Sequence, residues 1–282
     1  MTALALDDAP ELPEFDGPPA PASSTLLTCD ADGTHHFNQV KKLALSGKQY
    51  LHACNNPEPP TRAMLVGTRV HEIVLGPRPG APRVVRYDGR RAGARWDAFK
   101  AANADAEILN EAEWTEAEQI AAAVLADPVA RDRLHGARTE VPLRWEEDGG
   151  IVCSTTGVDI ITTGAALGDL KTTNTTYPES WQRLAFRMLY PQQMAWYARG
   201  ARANGLEVRG LFLLGVDVHA PYEVVDLELT DAMIAFADRT VALWLEKLRV
   251  YRESNQWPGF AQSPVPFDVP AWMGGDDEEE DP

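Results

Sequence analysis

A chain of 282 residues, 44% hydrophobic and 24% charged, carries enough apolar material for a sizeable core and fits one large domain or two small ones. It has no run of 18 or more apolar residues, so no transmembrane helix is expected, and its acidic, proline-rich start, MTALALDDAPELPEFDG, lacks the basic and apolar stretches of a secretory signal. The net charge of −16 counts against a broad nucleic-acid-binding surface, but much of the acid sits at the two ends, and a binding groove depends on local charge.

Three cysteines, Cys29, Cys54 and Cys153, are odd in number and far apart. They make neither a disulfide framework nor a CxxC metal motif, and they point to free thiols in a reducing cytoplasm. Residues 1–28, rich in Pro, Ala, Ser and acid, are expected to be disordered, and residues 263–282 to form an extended acidic tail. Residues 29–262 are expected to form a single domain, with no internal repeat.

The first expected helix is RAMLVGTRVHEIVLG, capped by Thr61 and ended by Gly76 and Pro77. A basic stretch with Arg83, Arg86, Arg90, Arg91 and Arg95 follows, with a helix from about Arg91. Thr115 and Glu118 form a capping box for the next helix, and Asp127-Pro128 opens a short one. The pattern then changes to strands at Glu140–Trp145, Ile151–Ile161 and Gly168–Lys171. Helices at Pro178–Leu189 and Pro191–Asn204 come next. Strands at Val208–Val216 and Tyr222–Leu229 precede a long closing helix capped by Thr230. This order predicts an α/β fold, a central mixed β-sheet flanked by helices.

Chemistry concentrates in GVDIITTGAALGDLKTT. A strand carries Asp159, the chain turns through Gly164, and a second strand carries Asp169 and Lys171. Residues i and i+2 of a strand share a face, so Asp169 and Lys171 project together while Leu170 turns to the core. A hairpin of this length can bring Asp159 beside Asp169. Two carboxylates and the Leu170 carbonyl offer oxygen ligands to a hard cation such as Mg²⁺. Such an ion lowers the pKa of a bound water, and a nearby lysine stabilises charge developing at phosphorus. Set against this, Asp-x-Lys on a strand is most often a surface ion pair worth about 0–1 kcal/mol.

Other residues are ambiguous alone. His71 and Glu72 compete for the inner face of the first helix, and a lone helical histidine is more often a core residue than a ligand. Gly67, one turn before His71, would admit a closely packed backbone. Tyr190, Gln193 and Tyr197 form one stripe, a packing face or a contact to phosphate. Glu140 reads as a strand-edge charge rather than a third acid. Arg183, Arg187, Arg199 and Arg202 read as a solvated face or a phosphate track.

With these residues in view, the chain resembles the PD-(D/E)xK nuclease superfamily, and within it the RecE-type exonuclease group of phages and prophages. The matching stretches, in order, are GTRVHEIVLG, DGRRAGARWDAF, LNEAEWTEAEQIAAAVLADPVARDRL, TEVPLRW, GVDIITT, GDLKTT, YPQQMAWY, PYEVVDLEL and QWPGF. The resemblance implies a restriction-endonuclease-like core, with His71, Asp159, Asp169 and the Leu170 carbonyl as metal ligands. It implies Lys171 as the catalytic lysine and Gln193 with Tyr197 as a QxxxY motif. It further implies Mg²⁺, with Mn²⁺ as a substitute, and digestion of linear double-stranded DNA from its ends, 5′ to 3′. The 3′ overhangs would serve a RecT-type single-strand annealing partner, and a homo-oligomeric ring is implied. Relatives commonly carry arginine two residues before the first metal acid, where this chain has Gly157. No cysteine follows Cys153, so no iron–sulfur cluster is expected. The competing readings are a structure-specific endonuclease or single-strand nuclease on the same scaffold, and a non-catalytic acidic partner-binding module.

Overall fold

The computed structural model describes residues 33–78 and 80–267. The expected disordered segment 1–28, and the tail from residue 268 on, lie outside the described residues. The elements in chain order are β1 (His35–His36), α1 (Phe37–Val40), a 3-10 turn (Lys41–Ala44), α2 (Gly47–Asn55), α3 (Arg62–Leu75), β2 (Arg83–Arg86), α4 (Ala94–Ala102) and β3 (Ala106–Leu109). Then come α5 (Glu111–Ala126), α6 (Pro128–Leu134), β4 (Arg138–Glu147), β5 (Ile151–Ile161) and β6 (Ala166–Thr173). The chain continues with α7 (Pro178–Arg187), α8 (Tyr190–Ala203), β7 (Gly210–Asp217), β8 (Val224–Glu228) and α9 (Asp231–Ser254). Among the described residues no helix is long and apolar enough to cross a membrane.

Capping chemistry sets several boundaries. The side-chain oxygens of Thr61 and Thr230 accept from the N–H groups of Met64 and Met233, each at 3.3 Å, and start α3 and α9. Asp127 accepts from Val129 and Ala130, and Pro128 occupies the first turn of α6. The start of α5 departs from expectation. Asn110 and Glu113 form the capping box, through bonds of 2.9 and 2.7 Å, and Thr115 lies inside the helix. Both sequences have the capping pattern, and the earlier one wins because adding turns to a nucleated helix is cheap.

The strands form a mixed six-stranded sheet. Its order is β1-β5-β6-β7-β8, with β4 also paired to β5. The pairs β1–β5 and β6–β7 are parallel, and β4–β5, β5–β6 and β7–β8 are antiparallel. A separate parallel ribbon joins β2 to β3. The sheet is a central layer between helices. Alternation along β7 shows this directly: Leu211 and Leu213 enter a core with Trp181, Trp196 and Trp244, while Phe212, Leu214 and Val216 enter a second core with Val70 and Ile120. A strand buried on both faces reads as a continuous apolar run, as GLFLLGVD does.

Residues 35–55 carry elements that the sequence reading did not separate. Strand β1 spans two residues and pairs with Cys153 and Ser154, more than a hundred positions away. Helix α1 spans four, and Phe37 is held by ring contacts to Trp196 and Trp244. Tertiary packing, not local propensity, makes these elements. Cys153 is a buried free thiol, but Cys54 is disulfide-bonded, against the expectation of three free thiols. Separation along the chain does not report approach in space.

The sheet tolerates no side chain at Gly168. A Cβ there would meet the Phe212 ring at 2.1 Å. Gly168→Ala should therefore destabilise the fold by about 1–3 kcal/mol through overpacking. A shift of the urea midpoint at unchanged slope is the expected reading.

Candidate active site

The site lies where β5 and β6 part. Their ladder is confined to Ile160 opposite Gly168 and Ile161 opposite Leu167. Past it, the Asp159 side chain takes the place of a backbone acceptor: its Oδ2 accepts from the Leu170 N–H at 2.9 Å. The N–H and C=O of one strand residue point the same way, so the Leu170 carbonyl also faces Asp159 and not β7. The Leu170 side chain is fully buried in the second core.

Asp159 and Asp169 are each 1% exposed. Burial, and then repulsion from Asp169, push the Asp159 carboxyl up to about 6. Lys171 forms an ion pair with Asp169 and lies 4.8 Å over the Tyr190 ring. Burial opposes its charge, but Asp169 and Asp159 outweigh burial and hold the ammonium above its ordinary pKa. Lys171 is therefore a donor and a positive charge at neutral pH, not a base.

Helix α3 supplies His71. Its Nδ1 is 3.5 Å from Asp159 Oδ2 and 3.8 Å from Glu140 Oε1. Burial opposes a charged imidazole, yet Asp159 and Glu140 outweigh it and raise the pKa. Glu72 turns aside to pair with Arg69 at 2.7 Å, so His71 is the member of the pair that meets the acids. Gly67 lets α3 pack close to β6, but its neighbour is a side chain: a Cβ would lie 3.1 Å from Thr172 Oγ1.

Helix α8 closes the site. Gln193 Nε2 donates to Asp169 Oδ1 at 3.4 Å and to the Tyr197 hydroxyl at 2.7 Å. Burial, then Asp169 and Asp159, push the Tyr197 phenol well above its ordinary value, so it stays neutral. The stripe of Tyr190, Gln193 and Tyr197 thus faces the acids, while Trp196 on another face of the helix is fully buried and bonds Ser154. Arg199 is engaged by Glu147 and Asp238, which makes it a tie between elements rather than part of a phosphate track. In the basic stretch, Arg83, Arg86 and Arg91 are likewise met by Asp105, Asp88 and Glu113.

Two residues join the site that sequence reasoning did not place there. Glu140 was expected as a strand-edge charge, but it is 4% exposed. The β4–β5 register pairs Thr139 with Ile160 and Val141 with Val158, which sets Glu140 opposite Asp159. Its φ of 51° is a left-handed conformation that costs a non-glycine residue about 1 kcal/mol or more. A Cβ on Gly157 would sit 2.5 Å from Glu140 Oε2, so the bare glycine makes room for this carboxylate. Arg78 is the second. Its guanidinium donates to Glu140 at 2.6 and 3.1 Å and to Asp159 at 3.0 Å. Burial would raise the Glu140 carboxyl, but the neighbouring His71 and Arg78 outweigh it and hold the carboxyl below its ordinary pKa. The strand register could have pointed to Glu140; no sequence signal marks Arg78.

His71, Glu140 and Asp159 offer ligand atoms within 4.8 Å of one another, the one such group among the described residues. Asp169 is outside this trio, engaged instead by Lys171 and Gln193. The donors fit a divalent cation. His71 Nδ1 is buried without a hydrogen-bond partner, two carboxylates flank it, and the Leu170 carbonyl faces the same side. Oxygen donors suit Mg²⁺, and a single imidazole is better matched to Mn²⁺. A groove of about 430 Å³ leads to the trio between α3 and Tyr190, lined by Met64, Thr68, Arg78 and Lys171. A larger hollow of about 650 Å³ beside α4 contains none of these residues.

A family profile described as "PDDEXK-like domain of unknown function (DUF3799)" matches residues 37–263. The chain belongs to this family. That places it in the PD-(D/E)xK superfamily, and the mixed sheet flanked by helices is a restriction-endonuclease-like core. A crystal structure from Eubacterium rectale, described as a "putative exonuclease", aligns over 84% of this chain and 91% of its own, at 16% identity and a TM-score of 0.55. That likeness shows the shared fold. The structure of SSO0001 aligns over 72% of this chain and 98% of its own at 13% identity, but with a TM-score of 0.28 it carries no argument. None of the curated proteins matches the chain.

Cation binding must displace the proton that Asp159 holds below about pH 6. Apparent Mg²⁺ or Mn²⁺ affinity should fall as pH drops through about 6, where Asp159 takes up its proton, and protonation of His71, whose pKa is raised, extends the fall to higher pH. Calorimetry in buffers of different ionisation enthalpy should show proton release on binding, and Asp159→Asn should remove the part of it centred near pH 6. Gln193→Ala should lower turnover by about 10–100-fold, as loss of a residue that orients a ligating or catalytic carboxylate does, without moving the urea midpoint.

Proposed function

We propose that this protein is a divalent-metal-dependent deoxyribonuclease. One observation carries the reading. Two buried carboxylates, Asp159 and Asp169, stand on diverging strands with Lys171 two residues past the second and His71 behind the first. A structural role alone gives no reason to bury two acids together beside a histidine nitrogen without a bonding partner.

The residues divide the work. Asp159, Glu140, His71 and the Leu170 carbonyl would hold the cation, with Asp169 beside them. A bound Mg²⁺ or Mn²⁺ neutralises phosphate charge and supplies a water of lowered pKa. Lys171, permanently charged, donates to the attacking water or to a non-bridging oxygen as negative charge grows there. Gln193 fixes the Asp169 carboxylate, and the neutral Tyr197 hydroxyl fixes Gln193. Tyr190 backs the Lys171 ammonium with its ring face.

Within this class we favour an exonuclease that uses Mg²⁺ and digests linear double-stranded DNA from its ends, 5′ to 3′. The sequence resemblance to the RecE-type group supports that choice, as does the description of the Eubacterium rectale neighbour. The product would be a 3′ overhang for a RecT-type annealing partner, made by a homo-oligomeric ring in the cytoplasm of a bacterial host. The alternative on this scaffold is an endonuclease, which digestion of circles would reveal.

The test is incubation with linear and nicked-circular duplex DNA, with Mg²⁺ and with EDTA. Loss of the linear DNA alone, only with metal, is the expected result, and end-labelling then gives the direction. Asp169→Ala should abolish cutting with the fold intact. Lys171→Ala should bind metal and DNA but cut about 10²–10³-fold more slowly, the usual cost of one donor to a developing negative charge. An Asp169→Ala protein that still cuts at the wild-type rate would overturn the assignment.

A further inference from the structure

We infer that Arg78 is a built-in counterion that holds the metal-free site together and leaves when a divalent cation enters. The inference rests on the metal-dependent reading above and assigns a role to a residue outside the sequence motif. Arg78 sits on the two carboxylates, Glu140 and Asp159, that form the cation trio with His71. It occupies both oxygens of Glu140 and one of Asp159, atoms a metal ion would need. A guanidinium bound to a carboxylate through two parallel bonds is a strong and geometrically specific pair.

The site without metal needs such a charge. Glu140 and Asp159 stand opposite each other across the β4–β5 ladder, and like charges in that arrangement repel. Lys171 is committed to Asp169 on the next strand. Arg78 and His71 both reach Glu140 and Asp159, and of the two Arg78 makes the shorter contacts and carries its charge at every working pH.

The geometry also allows it to leave. The Arg78 side chain is 32% exposed, whereas those of Glu140 and Asp159 are 3% and 1% exposed. It lines the groove from the segment that links α3 to β2 and not from the sheet. In sequence this segment is Gly76-Pro-Arg-Pro-Gly80. Gly76 and Gly80 have φ of 90° and 76°, and a Cβ on either would meet nothing within 4 Å. Pro77 stiffens the backbone before Arg78, so departure needs rotation of one side chain. Once off the carboxylates, the guanidinium would remain in the groove that Lys171 also lines, available to a phosphate.

Occupancy of the carboxylates by Arg78 scales the apparent association constant for metal down to its intrinsic value times the fraction of molecules in which Arg78 is off them. Calorimetric titration of Mg²⁺ and Mn²⁺ into the full chain, as wild type, Arg78→Ala and Arg78→Lys, tests this directly. Arg78→Ala should bind both cations about tenfold or more tightly, with Arg78→Lys between, because lysine keeps the charge but not the double contact. Thermal unfolding supplies a second reading. Without metal, Arg78→Ala should melt below wild type, and saturating Mg²⁺ should raise its Tm by more than it raises the wild-type value. Equal or weaker cation binding by Arg78→Ala would overturn the proposal while leaving the nuclease reading in place. Absence of binding in all three proteins would overturn both.

Discussion

Asp159 and Asp169 are buried side by side, and the arrangement around them answers their mutual repulsion. A carboxylate removed from water must be paired, hydrogen-bonded or protonated. Each acid here has its own set of partners. Asp169 has Lys171 and Gln193; Asp159 has Arg78, His71 and the Leu170 N–H. Even so, the Asp159 carboxyl is pushed up to about 6. A site that leaves one acid so strained is poised for a further positive charge.

The fold meets this requirement with a simple device. Strands β5 and β6 pair only near their connecting turn, and the gap beyond accommodates acids in place of ladder partners. Strand β6 instead pairs in parallel with β7 along its whole length, from Ala166 to Thr173. Asp169 and Lys171 therefore stand on a rigid base, and sites built on strands hold geometry better than sites on loops. The helices complete the enclosure. Helix α3 brings His71 through the close approach that Gly67 permits, and α8 brings Gln193 and Tyr197. Glu140 fits because Gly157 has no side chain. Gly157 is thus tied to the placement of an acid. Arg78 reaches Glu140 and Asp159 from the segment after α3.

Much of this was legible in the residues. The i, i+2 spacing of Asp169 and Lys171 placed them on one face, with Leu170 behind. The i, i+4 spacing of Gln193 and Tyr197 aligned them on one stripe. The caps at Thr61, Asp127 and Thr230, and the long apolar run of β7, marked elements by local chemistry alone. Where two local signals competed, as Asn110 and Thr115 did for the start of α5, sequence could not rank them. The short elements between His35 and Ala44 were not legible, since their partners lie far along the chain.

The sequence by itself determined the alternation of helices and strands, the mixed α/β class, and the shared face of Asp169 and Lys171, because periodicity and capping act over a few residues. Only the tertiary structure decided that His71 rather than Glu72 meets the acids, that Glu140 is one of them, and that Arg78 lies across two. Those outcomes depend on strand register and on the angle at which α3 crosses the sheet. Both are set by packing between segments tens of residues apart, which leaves no local pattern to read.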